Sequence, residues 1–193
     1  MKTAIVHDWL IDIGGSENCL KEFCLLFPEA DLYTLVYKNE TLRQLGIAPE
    51  RTTASFISRL PFSKKKYRSY LPLFPLAVEQ FDLTGYDLVV SSSHAVAKGV
   101  LTTARQIHIC YCYTPSRYAW DLYHQYLQEA DLTRGVKSVL ARIAMHYIRL
   151  WDQLACRRVD HFIAISYKEN GDRLFDNLTG FRYMSFQQLN RKP

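Results

Sequence analysis

The 193-residue sequence lacks several patterns that would assign it to common protein classes. It contains no G-x-G-x-x-G fingerprint, and none of its five cysteines forms a C-x-x-C pair. No apolar run approaches the roughly 18 residues needed to cross a bilayer, and no basic-then-apolar signal peptide opens the chain. These absences disfavour a nicotinamide dinucleotide cofactor, a zinc site and a spanning helix. We therefore expect a cytoplasmic chain whose cysteines are reduced packing residues.

The composition is that of an ordinary folded protein with a mild basic excess. Hydrophobic residues make up 48% of the chain and charged residues 22%, and 24 basic against 19 acidic side chains leave a net charge of +5. A chain of this length can bury one substantial core, or form at most two small domains. The positive charge suits a phosphate-bearing ligand or an anionic membrane surface, but it is too small to indicate nucleic acid.

The amino-terminal stretch predicts a strand, a glycine loop and a helix. The apolar run of Ala4, Ile5 and Val6 precedes Gly14 and Gly15, and Ser16 then opens a segment with helical apolar spacing. Glycines at this position would let backbone N–H groups approach an anion beside the positive end of a helix. The alternative is that the two glycines form only a tight turn between strand and helix.

The rest of the sequence alternates between strand and helix patterns. Further strands are predicted at 30–37, 52–57, 86–90, 106–113 and 161–166, with helices at 39–46 and 137–158. This order predicts an α/β fold, a Rossmann-like, doubly wound and mostly parallel sheet over residues 1–168. In the long helix, one apolar stripe is predicted from Val139, Leu140, Ile143, Tyr147, Ile148, Trp151 and Leu154. Residues 169–193 form an irregular tail with no clear strand pattern.

Polar residues follow two of the predicted strands where ligands of open α/β sheets bind. His94 comes after the serine triplet 91–93, and Arg117 comes after the strand at 106–113. An arginine fork suits a phosphate or a carboxylate. Two alternatives stay open: His94 as a structural histidine, and Arg117 in an ion pair with Asp121 four residues later.

A basic and aromatic segment lies between the third and fourth predicted strands. Pro72 and Pro75 divide it into short helices. Its cations could rest on an anionic leaflet, each contributing about 1 kcal/mol near the surface; they are Arg59, Lys64, Lys65, Lys66 and Arg68. The alternative is a solvated basic face over a buried apolar stripe.

Four motifs in order give the chain a resemblance to a known family. They are VHDWL…GGSE with FPEADLYTL, LPLFPLAVEQFDLTGYDLVVSSSHAVAKGV, CYCYTPSRYAWD and RRVDHFIAIS. Over residues 1–168 the sequence resembles the amino-terminal, acceptor-side half of family-4 retaining glycosyltransferases of the GT-B fold. The likeness is to the mannosyltransferase-like members that build cell-surface polysaccharide.

The resemblance implies a cleft between two Rossmann-like domains, with the acceptor bound mostly by the amino-terminal one. It implies that the loop of Gly14, Gly15 and Ser16 approaches the diphosphate of a nucleotide-sugar donor, and that His94 lies near the transferred sugar. Arg117 and Asp121 would line the side of a saccharide or lipid-linked acceptor. No metal or other cofactor is implied, because backbone dipoles and cations meet the phosphate charge.

Family members continue into a donor-binding domain with a pair of glutamates spaced by seven residues, and their chains are about twice as long. This sequence departs from the pattern soon after Ser166. We therefore expect little or no transferase activity from these 193 residues alone, and exposed apolar surface with a tendency to self-associate. The other hypotheses are a non-catalytic module that pairs with a separate donor-domain chain, and a nucleotide-binding α/β reductase.

Overall fold

The computed structural model describes residues 1–113, 119–120 and 122–164, together with the backbone of residues 184–185. Six parallel strands form one sheet in the order β3-β2-β1-β4-β5-β6, and a two-residue β7 pairs beyond β6. The strands are β1 (Thr3–His7), β2 (Asp31–Thr34), β3 (Thr52–Ala54), β4 (Leu88–Ser93), β5 (Ile107–Cys112), β6 (His161–Ala164) and β7 (Met184–Ser185). The helices are α1 (Gly15–Leu26), α2 (Asn39–Leu45), α3 (Ser63–Lys66), α4 (Phe74–Glu79), α5 (Tyr123–Glu129) and α6 (Gly135–Cys156).

Helical segments cover both faces of the sheet, which confirms the predicted Rossmann-like, doubly wound α/β fold. On one face, Ile5 and Val90 pack with Leu20 of α1 and Leu42 of α2. On the other face, apolar side chains of β1 and β4 pack with α4, α6 and the 3-10 segments, among them Val6, Val89, Phe74, Ile148 and Trp151. All six residues of β4 are buried, as expected for a central strand covered on both sides.

The short elements follow local chemistry. Helix α2 ends where predicted, because Gly46 adopts a left-handed conformation with φ 70°. The third strand is shorter than the predicted 52–57: the Ser55 hydroxyl accepts the N–H of Ile57, and a 3-10 turn (Phe56–Arg59) replaces the end of the strand. The segment that contains Pro72 and Pro75 forms short helices, as predicted: α3, a 3-10 helix (Tyr67–Leu73) and α4. The prediction that both prolines make the breaks was wrong, because Pro72 lies inside the 3-10 helix, whereas Pro75 lies at the start of α4.

One strand was not predicted, and the predicted rotation of one helix was wrong. The unpredicted strand is β7, in which Met184 and Ser185 pair with Ile163 and Ala164; two residues are too few to leave an alternating pattern. The predicted apolar stripe of α6 does not face the core as one unit. Ile148 and Trp151 are buried, whereas five other members of that stripe are exposed, namely Val139, Leu140, Ile143, Tyr147 and Leu154.

The described residues contain no helix that is both long enough and apolar enough to span a membrane. All five cysteines are free thiols, and Cys110, Cys112 and Cys156 pack together beside β6. These three agree with the expectation of packing residues, whereas Cys19 and Cys24 are only half-buried.

Candidate functional site

The candidate site lies between the carboxyl ends of β1 and β4. These two strands are neighbours in the sheet, but β1 connects onward to β2 on one side and β4 to β5 on the other. The loops that leave them therefore diverge and open a crevice, which is where open α/β sheets bind ligands. Asp8 follows β1 directly and His94 follows β4 directly.

Asp8 organises the loop after β4. Its Oδ2 accepts the backbone N–H groups of His94 (2.7 Å) and Ala95 (3.0 Å), and its Oδ1 accepts those of Val96 (2.6 Å) and Ala97 (2.7 Å). The side chain is fully buried. Burial alone would raise its pKa, but the charges of His94 and His7 and the N–H donors outweigh burial and lower the pKa of Asp8. One ionised carboxylate thus fixes four successive peptide groups.

His94 lies over this carboxylate and against an aromatic ring. Its Nδ1 is 3.1 Å from Oδ2 of Asp8, and its ring meets that of Trp9 edge-on with centroids 4.4 Å apart. Burial lowers the pKa of His94 more than the charge of Asp8 raises it. The ring is therefore neutral at pH 7, and a neutral imidazole presents one donor and one acceptor instead of a charge.

The glycine loop is held by the first turn of α1. Oε2 of Glu17 accepts the backbone N–H of Gly14 (2.8 Å) and the hydroxyl of Ser16 (2.9 Å). A side chain at Gly14 would press on that carboxylate, whereas the space around Gly15 is open. Gly14 is thus committed to the internal bond, and Gly15 is the position where another molecule can come close to the backbone.

A chain of hydrogen bonds ties the glycine loop to the ends of β1, β4 and β5. The Tyr113 hydroxyl donates to the carbonyl of Ser16 (3.0 Å) and lies 2.9 Å from Oγ of Ser92, which lies 2.9 Å from Nδ1 of His7. Nε2 of His7 is 3.5 Å from Oε1 of Glu17. Because Tyr113 has one proton and a carbonyl only accepts, Ser92 donates to Tyr113 and His7 donates to Ser92.

Burial alone would raise the pKa of Glu17. The hydrogen bond and charge of His7, a backbone N–H donor and the Ser16 hydroxyl outweigh burial and lower the pKa of Glu17 to about 2. The carboxylate that holds the glycine loop is therefore ionised at neutral pH. The rings of His94 and Tyr113 have centroids 6.4 Å apart. The structure thus brings the loop of Gly14, Gly15 and Ser16 and the His94 side chain to one edge of the sheet, as the sequence predicted.

Arg117 and Asp121 lie outside the described residues. Their neighbours 119 and 120 are fixed against α6, because the carbonyl of Ala119 accepts from Arg149 (3.1 Å) and Nε1 of Trp120 donates to Asp152 (2.9 Å). Asp152 also forms a fully buried ion pair with Lys98 at 2.6 Å. This pair connects α6 to the 3-10 turn (Ala97–Gly99) after His94.

A cavity of about 380 Å³ lies beside the crevice and is lined mostly by cations. Its walls are formed by Ile11, Asp12, Lys38, Lys64, Lys65, Tyr67 and Arg68. Lys38 pairs with the exposed Asp12 at 3.2 Å, and within the described part of the chain Lys64 and Lys65 form no ion pair. Tyr67 packs on the same Trp9 ring that contacts His94, with centroids 5.1 Å apart. Tyr67, which lines the cavity, and His94 therefore contact the same Trp9 ring.

The sequence analysis did not assign roles to several residues that build this site. They are His7, Asp8, Glu17, Lys38 and Tyr113. The role of Glu17 could have been predicted from the sequence. It lies three residues after Gly14, the residue before helix α1, and a glutamate at that position is half of a capping box. Over the described ranges, no group of three or more His, Cys, Asp or Glu side chains is placed to hold a metal ion.

Comparisons of the chain with protein-family models, with curated proteins and with solved structures found no match. The functional argument therefore depends on the geometry of the site and on the sequence motifs.

Proposed function

We propose that this chain is the acceptor-side half of a GT-B glycosyltransferase of the family-4 type. The reaction would transfer a sugar from a nucleotide-sugar to a polysaccharide or lipid-linked saccharide acceptor. The observation that carries the proposal is the crevice between β1 and β4, where an open glycine loop and a neutral histidine lie beside a cation-lined cavity.

The glycine loop suits the approach of a diphosphate. Gly15 has open space around it and is the first residue of a 12-residue helix. Its position at the positive end of the helix dipole favours negative charge. In this role the bond from Gly14 to Glu17 keeps the loop in place, and the diphosphate would lie at Gly15.

His94 suits contact with a sugar. A neutral imidazole can exchange hydrogen bonds with a hydroxyl group, and edge-on packing against Trp9 restricts the orientation of the ring. We assign His94 a binding and orienting role toward the transferred sugar. We assign Arg117 and Asp121 to the acceptor side by the motif resemblance alone.

The cation-lined cavity suits the phosphate groups of a lipid-linked acceptor. Its volume is within the range of roughly 300–1,000 Å³ for small-ligand pockets, and four cations line it together with the exposed carboxylate of Asp12. The exposed side chains of Lys64, Lys65, Lys66 and Arg68 would at the same time attract the chain to an anionic membrane surface.

Catalysis in this proposal needs a second domain that faces the crevice. The leaving nucleotide diphosphate is stabilised in the transition state by groups on both sides of a cleft. We therefore expect sugar transfer only when a donor-binding domain faces the edge of the sheet that carries His94, whether it belongs to the same chain or to another.

The test is calorimetric titration of the chain with geranyl diphosphate, a soluble probe of a lipid-linked phosphate. Lys65→Ala removes a cavity cation, and Lys66→Ala removes an exposed cation from the same helical turn that does not line the cavity. A nearby cation contributes about 1 kcal/mol, so Lys65→Ala should weaken binding about fivefold and Lys66→Ala less than twofold.

Three further ligands separate the alternatives. Pyrophosphate alone tests whether the lipid is needed, and anionic vesicles test whether a membrane surface suffices. Binding of NAD⁺, with no response to GDP-mannose or geranyl diphosphate, would favour the reductase hypothesis and overturn the proposal. Equal losses in Lys65→Ala and Lys66→Ala would show general charge attraction instead of a cavity.

A further inference from the structure

Helix α6 presents a second apolar face to solvent, on the side away from the core. Its inner face, with Met145, Ile148, Trp151 and Ala155, packs in the main hydrophobic cluster. On the outer face, Val139 and six other large apolar side chains are between 47% and 77% exposed, and those six follow a single line along the helix. We call these six the outer seam: Val136, Leu140, Ile143, Tyr147, Leu150 and Leu154.

The spacing of the outer seam is that of a two-stranded coiled coil. Successive members are separated by four, three, four, three and four residues along a 22-residue helix. This alternation keeps side chains on one line facing a partner helix, as a and d positions do. The inner face of α6 is already packed against the core. A partner helix could therefore pack only on the outer seam.

We propose that the outer seam binds the outer seam of a second copy of this chain, with the two α6 helices antiparallel. The six seam residues are spaced symmetrically about residue 145. A twofold axis that passes beside residue 145 of both helices therefore pairs all six residues. Val136 meets Leu154 of the second copy, Leu140 meets Leu150, and Ile143 meets Tyr147. Each contact joins an a position to a d position, and no seam residue remains unpaired.

Charges beside the seam favour the antiparallel direction. Of the positions that flank it within 136–154, Lys137 alone carries a formal charge at pH 7, the others being Val139, Ala144, His146, Trp151 and Gln153. A parallel pair would place the two Lys137 side chains together. The antiparallel pair separates them by roughly 20 Å along the helices, which is beyond the screening length of about 8 Å at physiological salt.

The area of the outer seam is near the minimum for a specific dimer. Six side chains each exposing roughly 100 Å² would bury roughly 1,200 Å² in total across two copies, at the lower end for specific interfaces. Antiparallel pairing also brings the exposed Arg134 of one copy toward the partner's Arg157, and salt screens this repulsion. We therefore expect a dissociation constant in the micromolar range that falls as salt is added.

The test is sedimentation velocity of the chain from about 1 to 200 μM. We expect a reversible monomer–dimer equilibrium that Leu140→Glu shifts to monomer by at least tenfold in dissociation constant. Leu25→Glu is the matched control, because Leu25 is an equally exposed apolar residue on α1. It should leave the equilibrium unchanged. Both sites are exposed, so circular dichroism should show folded variants.

Pairs of oppositely charged variants then show whether the two α6 helices are antiparallel or parallel. A mixture of Leu140→Glu and Leu150→Lys should form heterodimers, because these positions meet in the antiparallel pair, whereas Leu140→Glu mixed with Leu140→Lys should not. Heterodimers only in the second mixture would overturn the antiparallel arrangement. A monomer at 200 μM would overturn the proposal, including the case in which residues 165–193 cover the seam. So would a dimer that Leu140→Glu leaves intact.

Discussion

Replacing Asp8 by asparagine tests how the candidate site is held together. The substitution keeps the size of the side chain but removes its charge and converts one oxygen into an amide donor. At present one oxygen of Asp8 accepts from His94 and Ala95 and the other from Val96 and Ala97. In Asp8→Asn, one of these pairs of N–H groups must face another donor.

The magnitude follows from the number of bonds lost. Two buried N–H groups without an acceptor cost about 1–3 kcal/mol each, so the free energy of unfolding should fall by about 2–6 kcal/mol. A typical domain has about 5–15 kcal/mol in total. At about 2–4 °C per kcal/mol for a chain of this size, a 4 kcal/mol loss lowers the melting temperature by about 8–16 °C.

The pH dependence has a defined sign. Because the pKa of Asp8 is lowered in the folded state, its contribution to stability is complete above the unfolded pKa of about 3.9. The contribution is lost as the pH falls through the lower folded value. Asp8→Asn should remove this part of the acid sensitivity.

The assay is urea unfolding followed by circular dichroism, with Asp12→Asn as the control. Asp12 is a largely exposed carboxylate in a surface ion pair with Lys38, so its substitution should change the free energy of unfolding by less than about 0.5 kcal/mol. If Asp8→Asn were as stable as Asp12→Asn, the carboxylate would not be what fixes the loop after β4, and the reasoning would be refuted.

Other sites yield predictions of the same kind. Burial lowers the pKa of His108 to about 4, so the free energy of unfolding should fall by about 3 kcal/mol as the pH drops from 6.5 to 4; His108→Gln should flatten that profile, and an unchanged slope would contradict the assignment. Gly99→Ala would place a methyl group on the indole ring of Trp151 and should destabilise by about 1–3 kcal/mol in thermal unfolding; a neutral result would mean the ring has room to move. Lys98→Met leaves the buried Asp152 without its cation and should cost about 3–5 kcal/mol, much of it recovered when Asp152 is also made apolar; no recovery would show that the pair is not the cause.

The sheet and the placement of His94 followed from the order of the sequence patterns. Strand and helix signals alternated along the chain, and parallel strands with right-handed crossovers bring their carboxyl ends to one edge. That rule placed the glycine loop and His94 together before any contact was known. The polar residues after each strand, not the strands themselves, identified the edge.

The hydrogen bonds and contacts within the site could not be predicted from the sequence in the same way. Asp8 accepts N–H groups from residues 94–97, and a carboxylate 86 or more residues away in sequence gives no local pattern. Lys38 reaches the cavity because the chain beyond β1 and β2 stays paired, with Leu10 donating to the carbonyl of Val36 and Lys38 donating to that of Leu10. Only the folded sheet brings Lys38 to Lys64.

The error in α6 has a clear physical reason. A helix with apolar residues on two faces has more apolar positions than one core can cover, and periodicity alone does not say which face is inside. Trp151 and Ile148 pack inward with Met145, which leaves Leu140 and Ile143 on the outer side. The sequence predicted the helix, and packing decided its rotation.

The most direct test of the central claim is an amide NMR titration of the chain with GDP-mannose and with geranyl diphosphate. Our account predicts shifts that saturate in the loop of Gly14, Gly15 and Ser16 and in residues 94–97, and that geranyl diphosphate also moves the amides of residues 64–68. Gly15→Ala should fold normally, because a methyl group there meets open space, yet weaken the response of the loop. Shifts confined to another surface, or none at millimolar ligand, would contradict the assignment of this edge of the sheet as the binding site.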